Sequence, residues 1–285
     1  MTAPNFVQRV MNINTRSIVL GSLLVLGLVS SPAAITRAQQ ASASDDWCRD
    51  ESWGDDREGF CEVRDFTVPA AGATMTVDAS PNGGIDVKGE SRGDIVVRAR
   101  VVATARTKEE ARAIAARVNV TATADMVQAD GPRGLDKREG WHVSYRLSVP
   151  SSTPLSLKST NGGIRIDNVS SRIEFRTVNG GVKLKGIGGD VEGRTSNGGV
   201  DVDLDGTTWN GSGLNVETAN GGVKLAIPSD YNAHLETGTV NGNISIDFPV
   251  TVQGSIGKTF STDLGSGGPT VRVKTSNGGV KILKK

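Results

Sequence analysis

Beyond residue 154 the chain alternates apolar and polar positions with a period of two, interrupted at intervals by Asn-Gly. Leu155 and Leu157, Ile173 and Phe175, Leu214 and Val216, and Val271 and Val273 are alternating pairs, each followed by Thr or Ser two places before an asparagine. After the asparagine come Gly, then Gly or Asn, then a second alternating pair. The unit recurs as STNGGIRI (159–166), TVNGGVKL (177–184), TSNGGVDV (195–202), TANGGVKL (218–225), TVNGNISI (239–246) and TSNGGVKI (275–282), with an earlier relative, SPNGGIDV, at 80–87. Period two marks strands with one buried face. The Asn-Gly pairs predict sharp corners at Asn82, Asn161, Asn179, Asn197, Asn220, Asn241 and Asn277, with Asn and Gly taking up positive φ.

Two architectures meet this pattern: a meander with a hairpin at each Asn-Gly, or a solenoid with each Asn-Gly at the corner of a rung. The six later asparagines are spaced 18, 18, 23, 21 and 36 residues apart. Recurrence of the whole cassette favours the solenoid, because stacked rungs bring equivalent positions together and let asparagine side chains bond along the corner. The spacing of 36 predicts one degenerate rung around 256–264.

The segment before the array is different. Residues 94–104 read as a strand, and 107–118 as a helix with a Thr107/Glu110 capping box and one apolar face of Ala111, Ile114, Ala115 and Val118. A strand near 120–127 and a Gly/Pro-rich loop lead to 141–149, where Trp141, Val143, Tyr145, Leu147 and Val149 alternate up to Pro150. The helix is expected to lie across a sheet face or to cap it.

Composition and the N-terminus add location. Arg9 and Arg16 precede an apolar run over 18–29, followed by small residues and Pro32, the layout of a secretory signal and too short to span a bilayer comfortably. Cleavage is expected after Ala38, with Ala33 as the competing site; Met11 competes with Met1 as the start. The expected organisation is a signal peptide over 1–38, an acidic cysteine-containing segment over 39–65 and a β-repeat domain over 66–285. No later segment is apolar enough to anchor the chain, so its place is the periplasm or the cell surface. Cys48 and Cys61 are the two cysteines; in an oxidising compartment they predict a disulfide closing one short loop. Around them, residues 45–66 hold nine acids, three arginines, two tryptophans and Phe60. This segment reads as a cap over one end of the fold, or alternatively as an acidic docking knob. With a net charge of +1, nothing draws the whole chain to nucleic acid.

The Ser/Thr-x-Asn-Gly-Gly-apolar cassettes, the helix TKEEARAIAARV after a strand and the junction YRLSVPSSTPLSLKSTNGGI together resemble the bacterial "putative adhesin", or toast-rack, family of exported repeat domains, over about 66–285. The resemblance implies an all-β, right-handed β-helix-like solenoid of NGG rungs about 18 residues long, with one short helix near 108–118. It also implies a role in adhesion or envelope-stress sensing, and it brings no catalytic residues. Many members carry Asn-Gly-Asp where this chain has Asn-Gly-Gly.

Candidate chemistry is sparse. Asp201, Asp203 and Asp205 match the opening of a calcium loop, but Ser212 stands where a bidentate Glu is required, so they read as a solvated acidic stripe and only a weak calcium candidate. GSIGKT (254–259) lacks the first glycine of a phosphate loop, Val252 standing there. His142 and His234 fall on polar sides of their strands, far from any triad or zinc pattern. Outward positions beside the cassettes include Lys158, Arg165, Arg176, Lys183, Arg194 and Lys224, a basic ladder able to meet an anionic polymer, or else a solubilising face. No cofactor is expected. The sequence reads as a non-enzymatic exported envelope protein that presents a rigid repeat surface to an envelope polymer or surface protein. The alternatives are a carbohydrate-active β-helix enzyme built on Asp201, Asp203, Glu192 and Glu217, and a structural or sensory module acting through a protein partner.

Overall fold

A computed structural model describes residues 39–42, 46–49, 53, 56–247 and 257–285. The expected signal segment lies outside these residues, which all fall within the compact unit Ile35–Lys285.

The period-two pattern becomes strands with alternating burial. In chain order the first part contains β1 (Gln39–Ser42), β2 (Glu58–Pro69), β3 (Met75–Asp78), β4 (Ile85–Glu90), β5 (Asp94–Ala105), α1 (Lys108–Ala116), β6 (Asn119–Ala122), β7 (Met126–Asp130) and β8 (Gly140–Pro150). The repeat array follows as β9 (Leu155–Lys158), β10 (Ile164–Asp167), β11 (Ser170–Asn179), β12 (Val182–Lys185), β13 (Gly188–Asn197), β14 (Val200–Asp203), β15 (Gly213–Asn220) and β16 (Val223–Ile227). The last elements are β17 (Ala233–Asn241), β18 (Ile244–Ile246), β19 (Thr259–Leu264), β20 (Thr270–Asn277) and β21 (Val280–Lys284). On β11, Ile173, Phe175 and Thr177 are buried while Arg172, Glu174 and Arg176 are exposed.

These strands form two open sheets. The first has the order β1-β2-β5-β8-β4-β10-β12-β14-β16-β21-β18, the second β19-β17-β20-β15-β13-β11-β9-β3-β7-β6. Each cassette sends the strand before its asparagine into the second sheet and the strand after it into the first. Neighbouring cassettes pair in parallel with equivalent residues opposite, as in Thr177↔Thr195, Asn179↔Asn197 and Val182↔Val200. Hairpins join antiparallel strands, so this pairing rules out the meander. Apolar residues of both sheets, such as Ile166, Leu184 and Val202 on one and Ile173, Leu214 and Val273 on the other, share one continuous core.

Three devices hold equivalent cassettes together. From Asn161 onward the Ser or Thr two places before the asparagine is buried, and its hydroxyl donates to a glycine carbonyl of the neighbouring cassette, as Thr195 does to Gly180 and Thr218 to Gly198, both at 2.8 Å. The asparagine amides form a ladder: Asn161 donates to Asn82, Asn179 to Asn161, Asn197 to Asn179, Asn220 to Asn197, Asn277 to Asn220 and Asn241 to Asn277, at 2.7–2.8 Å. The first glycine lies against the backbone next door: a Cβ on Gly180, Gly198 or Gly221 would sit 2.1 Å from a neighbouring carbonyl oxygen. The expected positive φ is absent from the asparagines, and Asn168 is the non-glycine residue that shows one among the described residues. At Gly162, Gly180, Gly198 and Gly221 close backbone approach, not left-handed geometry, is what requires glycine, while Gly278 combines close approach with a φ of 156°.

The spatial order leaves the chain order at the C-terminal end. The last cassette sits between the fourth and fifth, its Asn277 bonded to both Asn220 and Asn241. No degenerate rung fills the 36-residue spacing among the described residues; β19 instead runs antiparallel to β17 at the edge of the second sheet. That segment has no Thr-x-Asn-Gly unit to stack on the array, so its backbone groups are satisfied by edge pairing with β17. Ile256 lies outside the described residues.

The N-terminal part is built differently. Strands β2, β5 and β8 pair antiparallel, and β4 joins parallel to β8. Helix α1 ends at Ala116, short of 118, carries the Thr107/Glu110 capping box, and packs over β5 and β2 through Ala111, Ile114 and Ala115. Arg64 donates to the carbonyls of Ala115 and Val118, tying β2 to the end of the helix. Cys48 and Cys61 form a disulfide with a Cα–Cα distance of 5.7 Å.

Candidate interaction surfaces

The residue two places after the second glycine of each cassette points outward from the first sheet, and parallel register aligns these residues across the strands. Asp86, Arg165, Lys183, Asp201, Lys224 and Lys281 therefore form one row. β8 extends it, since Arg146 pairs with Asp86. Beside the row runs an open trough of about 1050 Å³, floored by the second glycines of the cassettes and reaching Trp47 at one end. There the Arg146 guanidinium lies 3.9 Å from the centre of the Trp47 ring and that of Arg100 5.2 Å, cation–π contacts that hold the N-terminal segment against the sheet.

The acids of this face are matched by bases. Lys224 lies 3.8 Å from Asp201, and Arg165 is 2.7 Å from Asp167. Burial pushes the Asp86 carboxyl above its usual range, aided by Asp167 and opposed by Arg165 and Arg146.

The six residues of the expected basic ladder divide between two faces. Arg165, Lys183 and Lys224 lie on the first sheet; Lys158, Arg176 and Arg194 form a separate row on the second. The reason is the corner itself: residues before the asparagine belong to one sheet and residues after it to the other. On the second face Lys158 pairs with Asp78 at 3.0 Å and Arg194 with Glu217 at 3.4 Å. Burial works against ionisation of Asp78, yet hydrogen bonds from Ser80 and Lys158 hold its pKa below the usual value.

The calcium candidate does not assemble. The Lys285 ammonium lies between Asp203 and Asp205, occupying with its own charge the place a cation would take, while Asp201 faces Lys224. Among the described residues no group of three or more acids, histidines or cysteines is arranged to hold a metal. The four carboxylates considered for glycoside chemistry do not share one site: Asp201 and Asp203 lie on β14 of the first sheet, Glu192 on β13 and Glu217 on β15 of the second. His234 accepts no metal-like set either; its Nδ1 is 2.6 Å from Asp263 and its Nε2 3.1 Å from Ser261, contacts that tie β19 to β17. His142 borders a cavity of about 330 Å³ with Trp53 and Trp141. Residues 254–256 of GSIGKT lie outside the described residues.

Sequence reasoning missed Lys281 and Arg146. Lys281 was legible as the residue two after the last cassette's second glycine. Arg146 was not, because only the β4–β8 pairing places it in the row. The N-terminal tryptophans pack inward: Trp47 against two arginines, and Trp53 over Gly59, where a Cβ would meet its ring at 2.0 Å.

Among the described residues no helix is long and apolar enough to cross a membrane. A comparison with curated proteins finds no match. Among solved structures, a putative cell adhesion protein from Clostridium sporogenes is 9% identical, with a TM-score of 0.40 over 80% of this chain and 100% of that one. A putative adhesin from Bacteroides fragilis is 12% identical, with a TM-score of 0.38 over 79% and 97%. Residues 75–283 match the Toastrack DUF4097 family, a span that takes in the cassettes, the helix and the outward rows. The chain belongs to the toast-rack family.

Proposed function

We propose that the chain is a non-enzymatic, exported cell-envelope protein that presents a rigid β-repeat surface for adhesion or envelope interaction. In this reading residues 1–38 are the export signal, 39–65 cap the fold, and 66–285 coil as a right-handed solenoid with NGG corners. The observation that carries it is the register. Stacking by the Thr, Asn and Gly of each cassette turns isolated charges into continuous outward rows on rigid strands, and rows of fixed charge suit recognition of an extended surface. Ion pairing of Asp201 with Lys224, of Asp203 with Lys285 and of Glu217 with Arg194 favours binding over glycoside hydrolysis, which needs a free facing pair of carboxyl groups.

Binding of the purified protein to whole cells and to isolated envelope fractions, across a salt series, tests this reading. Saturable binding that weakens with salt supports it. Failure to bind any fraction contradicts it.

A further inference from the structure

We propose that the trough on the outer face of the first sheet binds a linear, sparsely charged anionic polysaccharide lying across the strands. The proposal rests on the envelope-surface reading above and names its ligand class and contact face.

Three cations carry the inference. Along the row beside the trough, Arg165 is held by Asp167 of its own strand and Lys224 lies beside Asp201, while Asp86 stands in register between Arg146 and Arg165. Arg146 on β8, Lys183 on β12 and Lys281 on β21 remain. All three are exposed; among the described residues Lys183 and Lys281 have no ion-pair partner, and Arg146 lies on the Trp47 ring. Three strand spacings separate Arg146 from Lys183, and three more separate Lys183 from Lys281. At about 4.8 Å per strand, positive charge recurs about every 14 Å. The acid–base pairs between them offer both hydrogen-bond acceptors and donors, which is what sugar hydroxyls require.

The floor fits the same ligand. A Cβ would be tight on Gly163, at 3.0 Å from its nearest neighbour, and on Gly199, at 3.3 Å, but on Gly84, Gly181, Gly222 or Gly279 it would meet its nearest neighbour at 3.4–3.6 Å, ordinary contact, and Asn243 stands at the equivalent place in the fifth cassette. The backbone tolerates a side chain at these latter positions. Glycine there keeps a channel open along the cation row, in contrast to the first glycine, which the stacking itself demands.

Charge density separates a polysaccharide from a nucleic acid. Each DNA strand carries a phosphate about every 3.4 Å, roughly four for each gap between these cations. Single-stranded nucleic acids also bind through successive aromatic platforms, whereas the trough is lined by Trp47 at one end and by Tyr145, whose ring is buried.

The test measures binding of the purified protein to hyaluronan, an unbranched glycan with a carboxylate on every second sugar, with uncharged dextran and single-stranded DNA as comparators at equal salt. Saturable hyaluronan binding is expected, with no binding of dextran and with weaker binding of DNA, most of whose phosphates would face no cation and some of which would face Asp86 and Asp201. Lys183→Glu/Lys281→Glu is expected to weaken hyaluronan by about tenfold or more, and the charge-matched Lys158→Glu/Arg176→Glu on the other sheet by less than about twofold. Gly222→Gln, which fills the floor, is expected to weaken it with the thermal midpoint unchanged. Equal loss in both charge-reversed pairs, or DNA binding as tight as hyaluronan, overturns the proposal. Binding to envelope fractions without binding to hyaluronan overturns the ligand class and leaves the surface reading standing; binding to neither removes both.

Discussion

The cassette array and the N-terminal part reach the same two-layered arrangement by different means. In the array, adjacent strands are copies of one another, so equivalent residues meet and cohesion comes from backbone approach, threonine hydroxyls and the asparagine ladder. In the N-terminal part adjacent strands are unlike, with β2, β5 and β8 antiparallel, and cohesion comes from mixed side-chain packing, a capped helix, arginine contacts and a disulfide. The array is therefore least tolerant of change at its smallest residues, and the N-terminal part at its crosslink and large side chains.

The sharpest way to break this comparison lies within one cassette motif. Gly198→Ala places a Cβ 2.1 Å from the Gly180 carbonyl oxygen, backbone against backbone. A loss of about 3 kcal/mol or more, or failure to fold, is expected. Gly222→Ala, a second glycine with its nearest contact at 3.6 Å, is expected to change stability by less than about 1 kcal/mol. Denaturant titration of the two variants checks the pair, and equal losses would sink the distinction between the glycines.

Removing the crosslink comes next. Cys48→Ser/Cys61→Ser opens a loop with a sequence separation of 13 and is expected to cost about 2–3 kcal/mol in urea unfolding. The account places that loss in the N-terminal part, so amide exchange should rise in β2 and β5 and stay low in β12–β16.

Thr195→Val keeps the shape of a buried side chain but leaves the Gly180 carbonyl without its hydroxyl donor. A loss of about 1–2 kcal/mol is expected by thermal or chemical melting. No change would mean that the threonine column contributes shape alone.

The smallest effect concerns Asp86. Its folded pKa is raised, mainly by burial, so the ionised carboxylate disfavours the folded state. That penalty is absent below the ordinary value of 3.8 and grows as pH rises towards the folded pKa. Asp86→Asn is expected to melt at or slightly above the wild-type temperature at pH 7, with the difference vanishing at low pH. A variant that melts lower at pH 7 than at pH 3, relative to wild type, would contradict the sign.

What could be read beforehand follows the same division. Period two, the cassette and the capping box at Thr107 each express local rules, and the strands, the asparagine column and α1 sit where those rules place them. Long-range facts were hidden. Insertion of the last cassette between the fourth and fifth depends on which sheet edge is free, and the segment 257–285 carries no mark of it. The role of the first glycine was assigned to turn geometry because one sequence shows a glycine but not the carbonyl beside it. The candidate surface was half legible: Arg165, Lys183 and Lys224 were named, but they were grouped with Lys158, Arg176 and Arg194, which the corner sends to the opposite sheet.

The central claim is that the first sheet, and not the second, meets the envelope. Amine-reactive footprinting of the purified protein, free and bound to isolated envelope material, with site-by-site mass spectrometry, tests it directly. The account predicts that Lys183 and Lys281 lose reactivity on binding while Lys158 and Lys108 keep theirs. Protection of Lys158 with Lys183 and Lys281 unchanged would contradict it.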